Sequence, residues 1–83
     1  MIKLLFFAQL ADQAGKEVHN VEFEEGISSR EVVNRIESSM PKELIDSLRF
    51  DTVMLSVNQV MADWDHVLSD GDEVAFLPPF SGG

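Results

Sequence analysis

Apolar positions recur along this chain with two different periods, and the changes of period mark its elements. Ile2 to Ala8 is a short apolar run, rich in Leu and Phe and broken only by Lys3. It reads as a strand near the centre of a sheet. Gln9 to Gly15 is a connection holding a helical turn, closed by Gly15. From Glu17 to Phe23 the pattern is an imperfect alternation, with Val18, Val21 and Phe23 apolar among Glu, His and Asn. This segment pairs with the first as a hairpin, and His19 is expected on its solvent side. Glu24-Glu25-Gly26 is a turn.

The period then becomes helical. Ser28-Ser29-Arg30-Glu31 fits a capping box, in which the Ser28 hydroxyl caps the helix and Glu31 reaches back. Ile27 before the cap and Val32 after it have the spacing of a hydrophobic staple. Val32, Val33, Ile36 and Met40 share one helical face. Pro41 stops that helix and opens a shorter one with Leu44, Ile45 and Leu48 as its apolar stripe. Alternation returns at Val53–Val57, with Val53, Leu55 and Val57 on one face and Met54 and Ser56 on the other. Asn58-Gln59 turns the chain into a short strand from Val60. Asp63–His66 is a loop and Asp70-Gly71-Asp72 a turn. Glu73–Leu77 is a last strand, ended by Pro78 and Pro79, which cannot donate to a ladder. Residues 79–83 remain as an extended tail.

Strand, strand, helix, short helix, strand, short strand, strand is an α+β order, with helices packed on one sheet face. The first and last strands are the most apolar, so they are placed side by side and parallel at the centre. With 83 residues the chain is read as a single domain, 1–83, with room for one modest core and little for a deep catalytic cleft.

Charge narrows the function classes. Fifteen acidic against six basic side chains give a formal net charge of −9. Phosphate backbones and anionic membranes attract Lys and Arg, so this balance excludes nucleic acid and membrane surfaces as partners. It suits a basic protein, or serves only to keep a small domain in solution. No cysteine is present, which removes disulfides, thiolate metal sites and a nucleophilic thiol. No apolar run approaches the roughly 20 residues of a membrane span. The apolar start lacks the features of a signal peptide, and a cytoplasmic location is expected.

Candidate chemistry is sparse. Asp63, Asp65, His66, Asp70 and Asp72 lie close in sequence, but two Asp-rich turns account for them and the calcium-loop spacing is absent. No metal site is expected. No serine sits in a nucleophile elbow, and Ser28 is accounted for as a cap. Gly15, Gly26 and Gly71 are isolated, so no phosphate-cradling loop is present. Catalysis by the chain alone is therefore not expected. The end of the chain differs. Gly82-Gly83 has no side chain, and from Pro79 an extended tail spans roughly 16 Å at about 3.3 Å per residue. Such a tail either frays or enters a narrow channel in a partner; a strand and two prolines immediately before it favour a stiff launch.

These residues carry a resemblance. The ending Asp70-Gly71-Asp72-Glu73-Val74-Ala75-Phe76-Leu77-Pro78-Pro79-Phe80-Ser81-Gly82-Gly83 closely resembles that of the molybdopterin synthase small subunits, the MoaD family of β-grasp sulfur carriers. Ile2–Ala8 and Val57-Asn58-Gln59 are similar to the family's first strand and mid-chain turn. The resemblance implies a ubiquitin-like β-grasp fold with a flexible Gly-Gly tail. It also implies a role in molybdenum cofactor biosynthesis. An adenylating, MoeB-like enzyme uses ATP to activate the Gly83 carboxylate, sulfur displaces AMP to give a thiocarboxylate, and the sulfur passes to a pterin precursor. Gly83 is then the covalent carrier, and Gly82 gives access. The chain binds no cofactor of its own and docks on the synthase large subunit, in a heterotetramer.

The strands suggest where docking occurs. Lys3, Leu5 and Phe7 share a face, and a lysine marks it as the solvent side. Leu77 lies opposite Val74 and Phe76 in the last strand, and Met61 lies on the neighbouring short strand. Phe7, Met61 and Leu77 form an exposed patch, continued into the tail by Pro79, Phe80 and Ser81, or else Phe7 and Leu77 complete a small core. The family's partner-binding surface looks much like this patch. A thiamine-type carrier, a ubiquitin-like modifier and a plain interaction module stay open as alternatives.

Overall fold

The computed structural model describes residues 1–50 and 52–78. Its elements are β1 (Ile2–Phe6), α1 (Gln9–Ala14), β2 (Val18–Val21), α2 (Ser29–Ile36), α3 (Lys42–Leu48), β3 (Met54–Val57), β4 (Val60–Ala62) and β5 (Glu73–Leu77). The five strands form one sheet in the order β2-β1-β5-β3-β4. β1 and β5 are parallel, and the other three pairings are antiparallel. This mixed sheet, with its helices on one face, is the β-grasp arrangement expected from the sequence.

Alternation decides which face each strand buries. Ile2, Leu4 and Phe6 of β1, Leu55 and Val57 of β3, and Val74 and Phe76 of β5 all point to the helix layer and are buried. Phe6 and Phe76 lie in register and stack with ring centroids 5.5 Å apart. The helices answer with Val32, Val33 and Ile36 from α2 and Leu44, Ile45 and Leu48 from α3. Each such side chain contributes on the order of 1.5–3 kcal/mol when fully buried.

Local chemistry fixes the helix ends. Ser28 accepts the N–H of Glu31 at 3.3 Å, and its hydroxyl donates to the Glu31 carboxylate at 3.3 Å. The reciprocal arm of the capping box thus closes on the Ser28 side chain. Ile27 is buried with Val32, as the staple requires. Pro41 is the N-cap of α3, and its carbonyl accepts from Leu44 and Ile45 at 3.1 and 3.2 Å.

Four readings of the sequence change. Residues 9–14 form a true helix, α1, which buries Leu10 and Ala14 and ends at Gly15 in the left-handed conformation. The first strand stops at Phe6 because Ala8 (φ 52°, ψ −129°) turns the chain away from the sheet. His19 stands opposite Leu4 on the helix side of β2 and is half-buried, not on the solvent side. Val21 and Phe23 set the phase of β2, so His19 shares their face and Val18 takes the other. α2 also ends at Ile36, although Met40 is still buried beyond it.

Candidate functional site

The face of the sheet away from the helices has no layer over it among the described residues. The register draws a band across this face. Val18 pairs with Leu5, Leu5 with Ala75, Ala75 with Ser56, and Ser56 with Met61. One step toward the carboxyl end of β5, Leu77 pairs with Met54, and Phe7 follows β1 at the same end. Phe7 is 45% exposed and Met61 52% exposed. Leu77 is half-buried. These three sequence-predicted residues therefore lie on the open side of the sheet, and Phe7 and Leu77 do not belong to the core. At the other end of the band Lys3 faces Glu73, with Nζ 3.9 Å from the carboxylate.

Val18 and Met54 extend the patch, both exposed, and neither was singled out from the sequence. The signal was present in the alternation. Val18 is out of phase with Val21 and Phe23, and Met54 is out of phase with Val53 and Leu55. An apolar residue on the polar phase of a strand is a surface residue, and several together make an interface. Ala75 and Ser56, both small and buried, leave the middle of the band shallow. Beside it, Leu5, Phe7, Ala8 and Val18 line a depression of about 370 Å³ toward α1.

β5 delivers the chain to this patch. It is hydrogen-bonded on both sides, by β1 and β3, so its carboxyl end is held firmly. The start of β5 is fixed as well. Asn58, in a left-handed turn conformation (φ 51°), donates to Asp72 at 2.9 Å and accepts from the Glu73 N–H at 3.0 Å. Pro79, Phe80, Ser81, Gly82 and Gly83 lie outside the described residues.

The Asp-rich segment is accounted for by local contacts. Asp63 accepts the Asp65 N–H at 3.0 Å, and Asp65 pairs with Arg30 at 3.2 Å. Asp70 pairs with the Met1 amine at 2.6 Å. Asp72 accepts the Ser69 N–H at 2.8 Å. This segment also clasps the start of α2, because Ser29 and Arg30 donate their N–H groups to the carbonyls of His66 and Trp64 at 3.0 and 2.9 Å. Among the described residues no helix is long and apolar enough to cross a membrane.

Comparison with known proteins places this geometry. The family model that matches is described as "ThiS family" and covers residues 4–83. The molybdopterin synthase sulfur carrier subunit of Escherichia coli is 35% identical over 83 residues, all of both chains. That of Chlamydomonas reinhardtii is 34% identical, over 99% of this chain and 98% of its own. The crystal structure of SAMP1 from Haloferax volcanii superposes with a TM-score of 0.82 at 23% identity, over 99% of this chain and 98% of that one. That last likeness establishes the fold. A β-grasp domain with an open apolar sheet face, matched end to end by these relatives, leads to one assignment: the chain belongs to the ThiS family, among the molybdopterin synthase sulfur carrier subunits.

Proposed function

We propose that this protein is the sulfur-carrying small subunit of a molybdopterin synthase, acting in the cytoplasm through the carboxylate of Gly83. The observation that carries this reading is end-to-end similarity to sulfur carrier subunits that spans the whole chain, in a fold whose central strand leads into the Gly-Gly tail.

A free carboxylate is a poor electrophile. A partner enzyme first lets a Gly83 oxygen attack the α-phosphorus of ATP, releasing pyrophosphate and leaving an acyl-adenylate. A sulfur nucleophile then attacks the acyl carbon, and AMP departs as the leaving group. The product is a thiocarboxylate, which later gives its sulfur to a pterin precursor bound by the large subunit. The small chain supplies a tethered, reactive end, and the partners supply the catalytic groups. Gly82 lacks a Cβ, which suits a narrow channel.

Docking is assigned to Phe7, Met61 and Leu77, widened by Val18 and Met54 and continued by Pro79, Phe80 and Ser81. Two features support this: the patch is apolar and open, and the tail leaves the sheet at its margin. The same surface serves the activating enzyme and the synthase large subunit in turn, so the two partners compete.

Intact mass tests the chemistry. Incubation with an adenylating enzyme of this family, ATP and a sulfur donor is expected to add about 16 Da, one oxygen replaced by sulfur. A chain lacking Gly83 is expected to show no gain. Absence of any gain in the full chain would leave a plain interaction module. Sulfur delivery to a thiazole synthase or attachment to protein lysines, in place of delivery to the pterin precursor, would reassign the acceptor.

A further inference from the structure

Two of the four methionines of this chain stand on the open face of the sheet. Met54 lies on β3 opposite Leu77, and Met61 lies on β4 opposite Ser56. Ser56 follows Met54 by two positions and shares its face of β3. Met61 is therefore the diagonal neighbour of Met54, and such pairs lie about 7–8 Å apart, within reach of long side chains. Leu77 continues the row from Met54 toward Phe7. The two methionines are 48% and 52% exposed.

The other two methionines are placed differently. Met40 is 8% exposed and packs in the core of the helix layer. Met1 is 60% exposed, but it lies at the opposite end of β1 from Phe7, where its amine pairs with Asp70. The chain thus holds a pair of thioethers in the docking patch, one exposed thioether outside it and one buried thioether. It holds no cysteine, so no thiol competes with the thioethers for an oxidant.

We propose that Met54 and Met61 form a reversible oxidation site, at which a peroxide turns the docking face from apolar to polar and releases the carrier from its partners. The sulfur lone pair attacks one peroxide oxygen. An S–O bond forms as the O–O bond breaks, and the departing hydroxide takes the proton of the transferred oxygen and leaves as water. Sulfur is oxidised by two electrons to the sulfoxide, and the peroxide is reduced. Two thiols reverse the step through a methionine sulfoxide reductase, giving back the thioether, one disulfide and one water.

A sulfoxide is polar where methionine is apolar and adaptable. Its oxygen is hydrated on the free carrier and loses that water when an apolar partner surface covers it, without a donor in exchange. Docking in turn covers both sulfurs, so oxidation and docking oppose each other. This inference rests on the reading of the open sheet face as the docking surface, and it adds the control of that surface by oxidation.

The free chain, before contact with an activating enzyme, is treated with millimolar hydrogen peroxide and mapped by peptide mass. Mapping is needed because an added oxygen and an exchange of oxygen for sulfur both add about 16 Da. Met1, Met54 and Met61 are expected to oxidise at least about tenfold faster than Met40. Affinity for the synthase large subunit is then measured before and after treatment, with circular dichroism as the check on the fold. The oxidised wild type is expected to bind about tenfold or more weakly with its fold intact, and to recover after a methionine sulfoxide reductase and dithiothreitol. Met54→Leu/Met61→Leu is compared only with its own untreated affinity, which peroxide is expected to leave unchanged although Met1 is still oxidised. Large subunit added before the peroxide is expected to slow oxidation of Met54 and Met61 and not of Met1. Equal affinity of oxidised and untreated wild type overturns the proposal, as does loss of the fold on oxidation. An equal loss of affinity in the double leucine variant also overturns it, by assigning the effect to Met1 or Met40. Failure of the untreated wild type to bind removes the docking reading and this inference with it; binding that ignores the oxidation state removes this inference alone.

Discussion

Ala8 occupies a conformation that L-residues avoid, with φ 52° and ψ −129°. The Leu10 N–H donates to the Phe7 carbonyl at 3.0 Å, so Phe7–Leu10 is a type II′ turn whose first central position favours glycine. Holding alanine there costs about 1–3 kcal/mol. Ala8→Gly is expected to raise stability by about 1 kcal/mol, after the entropy that glycine adds to the unfolded chain. A higher urea midpoint is the sign to look for, and an unchanged or lower one would show that the turn is unstrained. Nothing in Phe7-Ala8-Gln9 signals this turn, because alanine is not a turn former, and the first strand therefore reads two residues too long. His19 raises a different issue. Burial, and then the nearby charge of Lys16, lower its pKa below the ordinary value of 6.5. The unfolded chain then takes up the proton first, so stability falls as pH drops through 6.5 toward the folded-state value. Between about pH 7.5 and 5.5 the urea midpoint of the wild type is expected to fall further than that of His19→Gln. Parallel falls would mean that His19 is as well hydrated folded as unfolded.

Among the elements, those with a chemical start signal were legible and those resting on packing alone were less so. The start of α2 was legible because Ser28, Glu31, Ile27 and Val32 each do a separate physical job there. β5 was legible because an Asp-Gly turn and Pro78 bracket a run of strand formers. α1 was not legible as a helix. It has six residues, no side-chain cap and one repeat of its apolar period, Leu10 to Ala14, too little to set a helix apart from a turn. Its stability comes from burial against α3 and β1, which tertiary structure alone supplies. The cap of α2 can be tested singly. Ser28→Ala removes the acceptor of the Glu31 N–H and is expected to cost about 1 kcal/mol. Sulfur transfer per folded molecule should not change, because α2 lies on the opposite side of the sheet from the docking patch. A loss of transfer at unchanged stability would give Ser28 a role beyond capping.

At the scale of the whole molecule, one sheet has its helices on one face and an open apolar patch on the other. The patch was legible in outline because Lys3 marks the phase of β1 that faces water, which carries Phe7 outward. Its full width was not, since Val18 and Met54 join it only through strand order and register. The open apolar face and the net charge make separable contributions to partner binding. A charge of −9 steers a basic partner at long range, acting mainly on the association rate, whereas an apolar anchor acts on dissociation. Phe7 is 45% exposed in the free chain, so covering the rest in the complex is worth about 1 kcal/mol, or roughly fivefold in affinity. Phe7→Ala is therefore expected to speed dissociation from the synthase large subunit by about that factor and leave the association rate and the fold nearly unchanged. Raising ionic strength from about 0.01 M to about 1 M shortens the screening length from about 30 Å to about 3 Å. It is expected to slow association tenfold or more in wild type and Phe7→Ala alike. Stopped-flow or surface-binding kinetics separate the two. If Phe7→Ala slowed association and spared dissociation, Phe7 would lie outside the bound interface and the docking surface would have to be sought elsewhere. If salt left association untouched, the acidic charge would serve solubility alone.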